Sequence, residues 1–393
     1  MHLIPQLAIF KVGTVATKPN DSTMNHLRNT LLSISLLLFV FACGDDDTNG
    51  GGTFEGDLRF TNQAAIDDFG NLGHTRINGS LIIDLRTTDP SQVRNLAGLR
   101  GITEITGDLS ISGTSNLGLL TGLEDLTTVG GAMFINENSF LFSIEALSNL
   151  TSVGENIFIT DNQDLPSIAA LSGLSKANGS LWVTGNPRLT NLNGLNGITE
   201  ITGSLFINNP GITSLSGLDN VTFIGSEISI IGNPLLTDLS ALNGLERSTI
   251  GSITISQNDA LIEIPGFNNI TTPFQVTANE NPNLERITGF TGMTEFLGII
   301  LHNNPKLSDV SGFQNAESMQ GFFSIQGSAL TNLDAFQSLT GLGEGLIIVE
   351  NSSLSDLCGI RTAVQAGPVN ETVIQSNGFN PSFEDIANGN CSN

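Results

Sequence analysis

The side chains suited to acid–base or nucleophilic chemistry are few and scattered. Downstream of residue 43 the chain has two histidines, His74 and His302, one near each end of the region. A Ser-His-Asp or Cys-His arrangement needs nucleophile, base and orienting group within hydrogen-bond reach, so neither histidine suggests a site. The sequence has no H-E-x-x-H, no G-x-S-x-G, no G-x-x-x-x-G-K-S/T and no zinc-spaced Cys/His set. Paired carboxylates are the remaining catalytic option. No acid recurs in register beside a Lys or Arg. No dense Asp-x-Asp-x-Asp loop of the calcium type occurs outside residues 44–53. The expectation is a chain that is not an enzyme and takes no metal and no cofactor.

Charge narrows the partners. There are 14 Lys and Arg against 38 Asp and Glu, a formal net charge of −24. Neutralising phosphates takes Lys and Arg, so nucleic acid is not expected as a partner. Charged residues are only 13% of the chain and apolar ones 39%, enough to build a core rather than a disordered acidic tail.

What positions the side chains is a repeat. From about residue 77 an apolar–x–apolar triplet recurs: Leu81/Ile83, Leu109/Ile111, Met133/Ile135, Ile157/Ile159, Leu181/Val183, Leu205/Ile207, Ile228/Ile230, Ile253/Ile255, Phe274/Val276, Ile299/Leu301, Phe323/Ile325 and Leu346/Ile348. Val373 begins a thirteenth. The spacing stays near 24 residues. A triplet of period two is a short strand with two side chains inward and one outward. One such strand cannot bury its own apolar side. Stacked coils ~4.8 Å apart share one continuous core, and thirteen of them make a rod of roughly 60 Å. The fold class expected is all-β: a parallel β-solenoid of 12–13 coils. Further apolar columns, such as Leu189, Leu192, Leu195, Ile198 and Ile201, fill each coil, and Gly194 and Gly217 suit tight corners.

Two more columns follow from the register. Asn138, Asn162, Asn186, Asn209, Asn233, Asn258, Asn304, Asn351 and Asn377 recur just after the strand and fit a ladder bonding corner backbone. The outward middle position reads Ile82, Ser110, Phe134, Phe158, Trp182, Phe206, Ser229, Thr254, Gln275, Ile300, Ser324 and Ile347. Four consecutive aromatics predict an exposed ladder, with Phe140 and Phe142 extending it from the next turn. Such rings stack on sugars, anchor a protein, or stack on each other for stability alone.

The ends differ in kind. Leu31 to Phe41 is an apolar run too short to span a bilayer comfortably and of signal-peptide length. It closes in Val40-Phe41-Ala42-Cys43 before an acidic stretch, which resembles a bacterial lipobox. That resemblance implies a lipid on Cys43 and an outer-membrane or cell-surface location facing outward, with membrane contact only through the lipid. Met24 fits as the true start. Setting Cys43 aside leaves Cys358 and Cys391 as an even pair in an oxidising compartment, and a disulfide is expected between them. The segments expected are 1–42 signal peptide, 43–53 tether, 54–76 N-terminal cap with helical Ala65, Ile66 and Phe69, 77–357 solenoid, and 358–393 C-terminal coil and cap.

GDLSI at 107–111, GSLWVTGNPRLTNLNGLNGITEITGSLFI at 179–207 and the Cys358/Cys391 closure resemble the receptor L-domain family, a leucine-rich β-helix of ligand-binding ectodomains. The resemblance covers roughly residues 60–393. It implies ligand recognition by surface residues, with no fixed binding motif to transfer. The function expected is a surface lipoprotein that binds an extracellular protein or glycan. A structural envelope component and a polysaccharide-active enzyme are the alternatives.

Overall fold

The computed structural model describes residues 52–86, 89, 92–248 and 251–393. The signal peptide, Cys43 and the tether up to residue 51 lie outside the described residues. One fourteen-stranded parallel sheet runs the length of the described chain. Its strands are β1 (Leu58–Phe60), β2 (Leu81–Asp84), β3 (Leu109–Ser112), β4 (Met133–Asn136), β5 (Ile157–Thr160), β6 (Leu181–Thr184) and β7 (Leu205–Asn208). They continue as β8 (Glu227–Ile231), β9 (Ser252–Ser256), β10 (Gln275–Asn279), β11 (Gly298–His302), β12 (Phe322–Gln326), β13 (Gly345–Val349) and β14 (Glu371–Gln375). Each strand pairs with the strand of the next coil, equivalent residue to equivalent residue: Leu181 lies between Ile157 and Leu205, and Trp182 between Phe158 and Phe206. This is an all-β parallel solenoid.

Each coil is completed by short pieces. Two-residue strands such as Glu104–Ile105, Thr128–Val129 and Ser152–Val153 form a second parallel ladder. Single 3₁₀ turns, for example Glu145–Leu147 and Asp334–Phe336, occupy the space between. The repeated Leu and Ile of every coil are buried in one continuous core. Full burial of each such side chain contributes about 1.5–3 kcal/mol. Coils sit so close that Gly194, with φ 112°, has no room for a Cβ, which would run into the carbonyl oxygen of Ile168 below it.

The corner after each strand has its own rule. Glu137, Asp161, Gln257, Glu280, Asn303, Glu350 and Ser376 all take positive φ between 56° and 59°, and Gly113, Gly185, Gly232 and Gly327 stand at the same position. Left-handed backbone costs a non-glycine residue about 1–2 kcal/mol. Here it turns the next residue inward, and that residue is the column asparagine, or Thr114 after Gly113 and Ser328 after Gly327.

Three features differ from the sequence expectation. The inward pair of β10 is Val276/Ala278, not Phe274/Val276: Ile253 pairs with Val276 and Ile255 with Ala278. Phe274 is also fully buried, but it precedes the strand. The outward middle residue of that coil is therefore Thr277, and Gln275 sits one column over. In β14, Val373 pairs with the outward Ile347, so Thr372 and Ile374 are the register partners of the inward Leu346 and Ile348, with Ile374 partly buried and Thr372 exposed at this last strand. The segment 54–76 contributes a strand as well as a cap, because β1 pairs in register with β2.

The ends are closed by helices. α1 (Gln63–Gly70) is capped by the Asn62 side chain and buries Ile66 and Phe69. At the other end α2 (Arg361–Gln365) meets α3 (Phe383–Asn388), whose capping box pairs Ser382 with Asp385. Cys358 and Cys391 are disulfide-bonded across this cap. No helix among the described residues is long and apolar enough to cross a membrane.

Candidate functional site

The asparagine column is buried structure. Asn162 illustrates it: its Nδ2 donates to the Ile135 carbonyl at 2.8 Å, and its backbone N–H donates to Asn186 Oδ1 at 3.1 Å. The same pattern links Asn138, Asn162, Asn186, Asn209, Asn233 and Asn258. It continues through Asn281 to Asn304. Ser328 then takes the position, followed by Asn351 and Asn377, and Asn380 closes the row. Asn281 is absent from the column expected from sequence because the triplet assigned to that coil lies two residues too early. From Asn138 to Asn377 the members of this column are buried, which makes it a structural row; only Asn380 at its end is exposed.

The outward face of the sheet holds the aromatic column. Phe134, Phe158, Trp182 and Phe206 are partly buried rather than exposed. Phe134 and Phe158 stack at 4.9 Å with planes 9° apart, so their facing surfaces are occupied by each other. Trp182 is turned 74° from Phe158 at 5.3 Å and 59° from Phe206 at 4.4 Å. Its Nε1 is buried without an acceptor among the described residues. Phe140 and Phe142, 49% and 46% exposed, form a separate edge-to-face pair at 5.9 Å. They stand beyond the Glu137 corner, with Phe142 against Gly118, and make no ring contact with Phe134 among the described residues. They do not extend the column.

Polar rows flank the rings. After the column come Ser112, Asn136, Thr160, Thr184 and Asn208, all uncharged. Before it, side chains accept the next coil's backbone N–H: Asp108 from Ala132, Asn156 from Ser180, and Ser180 from Ser204. Ser204 in turn accepts from Glu227 N at 3.3 Å. There the relay stops. The Glu227 carboxylate has no hydrogen-bond or ion-pair partner among the described residues, and burial alone pushes its pKa up. It stands beside Ser204 and diagonal to Phe206, because Phe206 pairs with Ser229. At the N-terminal end of the face burial pushes the Asp84 carboxyl up, but hydrogen bonds and charge from Arg86 outweigh it and hold it below its usual value. Arg86 also reaches Glu137 at 3.6 Å.

The two histidines lie far apart in the stack. His74 packs on Phe69 and Phe54, its Nδ1 buried and without a partner among the described residues. His302, on β11, shares a 2.6 Å hydrogen bond with Ser324, and burial lowers its pKa. No carboxylate completes a triad with this pair among the described hydrogen bonds. No group of three or more His, Cys, Asp or Glu among the described residues is arranged to hold a metal ion. An open groove along the corner column carries Asp259 and Glu280, the latter bonded to Gln257 at 2.7 Å.

The receptor L domain family model matches residues 74–191. That stretch includes Phe134, Phe158 and Trp182. No curated protein matches the chain. Among solved structures, an internalin, InlF of Listeria monocytogenes, is similar at 14% identity and a TM-score of 0.39, over 80% of this chain and 89% of that one. The functional domain of InlJ from the same organism is 16% identical, with a TM-score of 0.27, over 77% of this chain and 68% of that one. A TLR13–ssRNA13 complex is 13% identical at 0.26, over 82% of this chain and 60% of that one.

Proposed function

We propose that the solenoid is a non-catalytic binding module, held at the cell surface by a lipid on Cys43, that takes an extracellular protein or glycan on the outward face of its main sheet. The observation that carries this reading is the aromatic column flanked by polar rows, uncharged on one side and with Asp108 and Glu227 toward the ends of the other. Partly exposed rings set among hydroxyls and amides give a contact surface that is apolar at its centre and able to bond at its rim. The receptor L domain match over residues 74–191 supports a binding role rather than a catalytic one. The cell-surface location rests on the run ending at Ala42-Cys43.

A specific observation favours a second role for part of the column. The parallel packing of Phe134 on Phe158 fits a stabilising stack, which assigns the contact role to Trp182 and Phe206. Trp182 is the single tryptophan, so its emission reports on this surface alone. The test is a glycan- and protein-array screen of wild type beside Trp182→Ala. A hit that shifts the wild-type emission and is lost in a stably folded Trp182→Ala supports the reading. Hits retained in the variant, with no emission change, overturn it. The anchor is tested separately, by radiolabelled fatty acid incorporation in cells expressing wild type or Cys43→Ser.

A further inference from the structure

On the outward face Glu227 is an acidic group that nothing among the described residues satisfies. The row that carries Asp108, Asn156, Ser180 and Ser204 uses each of those side chains to accept a backbone N–H of the next coil. Glu227 ends that relay, half-buried and with its carboxylate unpartnered among the described residues. Among the described residues, Lys176 is paired with Glu200 at 3.0 Å and Arg188 with Asp164 at 3.0 Å. Desolvating a carboxylate without a partner is costly, and native structures keep few such groups without a reason.

The neighbours of Glu227 give the reason a chemistry. Phe206 is its diagonal neighbour on the same face, one strand away, and Trp182 lies 4.4 Å beyond Phe206, ring to ring. The two ring planes are inclined at 59°, so they are not stacked flat on each other as Phe134 and Phe158 are. Aromatic faces beside a carboxylate form the setting that receives an ammonium or guanidinium group, which gains attraction to the rings and an ion pair at once. A net charge of −24 draws a basic partner toward the chain from a distance.

We propose that the partner is a protein segment presenting a Lys or Arg side chain, which docks over Trp182 and Phe206 and pairs with Glu227. This rests on the outward face being the contact surface, and it names the partner class for that face. A neutral glycan can donate hydroxyls to Glu227 but leaves its charge uncompensated, whereas an ammonium or guanidinium group satisfies both.

The test titrates the full chain with a hexa-arginine peptide while following Trp182 emission, with a neutral cello-oligosaccharide in parallel. Glu227→Gln removes the charge at constant shape, and relief of an unpaired, desolvated carboxylate keeps that variant folded. Asp334→Asn, at an exposed position far along the stack, controls for bulk charge. The expected result is a saturable emission shift with the peptide, about tenfold weaker in Glu227→Gln and unchanged in Asp334→Asn. Equal weakening in both variants, or full binding by Glu227→Gln, overturns the assignment of Glu227. A response to the oligosaccharide and not to the peptide overturns the basic partner while leaving the contact face standing. No emission response to either probe, with array hits that ignore Trp182, overturns both.

Discussion

The rings of Trp182 and Phe206 lie 4.4 Å apart with planes at 59°, one rung from a phenyl pair that packs almost parallel. The column is therefore not uniform. Its first half is closed upon itself, and its second half carries a ring whose Nε1–H is buried without an acceptor among the described residues.

That donor makes a stability prediction. Trp182→Phe removes a buried, unpartnered N–H and keeps an aromatic in register. The melting temperature is expected to stay level or rise, since an unsatisfied donor costs about 1–3 kcal/mol. Trp182→Ala keeps no ring to pack on Phe158 or Phe206 and is expected to melt lower. Thermal unfolding of the two variants beside wild type checks this, and a clear fall for Trp182→Phe counts against the geometry.

Asn186→Ala opens the asparagine ladder at mid-stack. The carbonyl of Ile159 loses its donor, and the N–H of Asn162 loses its acceptor, both in buried backbone. The expected loss is about 2–6 kcal/mol, the sum over two orphaned groups. Asn186→Asp keeps size and acceptor but not the Nδ2 donor, so it too is destabilised. Urea titrations of both variants separate loss of the donor from loss of volume.

Acid affects His302 before it affects the carboxylates. Burial holds the imidazole below its usual value, so the unfolded chain takes up a proton near pH 6.5 that the folded chain resists. The corresponding stability is complete above that pH and declines as pH falls below it. His302→Gln is expected to flatten the decline between about pH 6.5 and 5. Asp84 and Glu263, lowered by their arginine and hydroxyl partners, act only below the ordinary carboxylate range. Stability against pH for wild type and His302→Gln reads this directly.

Reduction of the Cys358–Cys391 bond frees a loop with a sequence separation of 33. Loop entropy sets the loss at about 3–4 kcal/mol. Because each coil touches mainly its neighbours, the loss concentrates at the C-terminal cap. Hydrogen exchange of the Cys358→Ser/Cys391→Ser variant is expected to show β14 and α3 exposed while β5 to β7 stay protected.

The period, the inward residues and most of the asparagine column were legible because alternation and coil length leave a direct trace in residue types. The misplaced coil shows where that trace fades. β10 has the small Ala278 at an inward position, and the larger Phe274 two residues before the true pair drew the register backward. Correcting it replaces an irregular spacing with two even ones. An inner phenyl stack of Phe267, Phe290, Phe313 and Phe336, at 5.1–5.7 Å, repeats at coil spacing where earlier coils carry Leu, so residue type alone does not mark it as one column. Glu227 lies outside the apolar–x–apolar triplet, and nothing in its residue type says that its carboxylate lacks a partner. Ring orientation is equally silent: the sequence places Trp182 between two phenylalanines but not its plane.

The strict pairing of equivalent residues has a consequence for how this molecule changes length. Ile157 pairs with Met133 on one side and Leu181 on the other. Excising residues 157–180 would set Leu181 on Met133, Trp182 on Phe134 and Asn186 beside Asn138, with every column kept in phase. The chain behaves as a row of interchangeable cassettes. Reach along the rod is then a matter of copy number, and it can be lengthened or trimmed by duplication or deletion without redesign of either end.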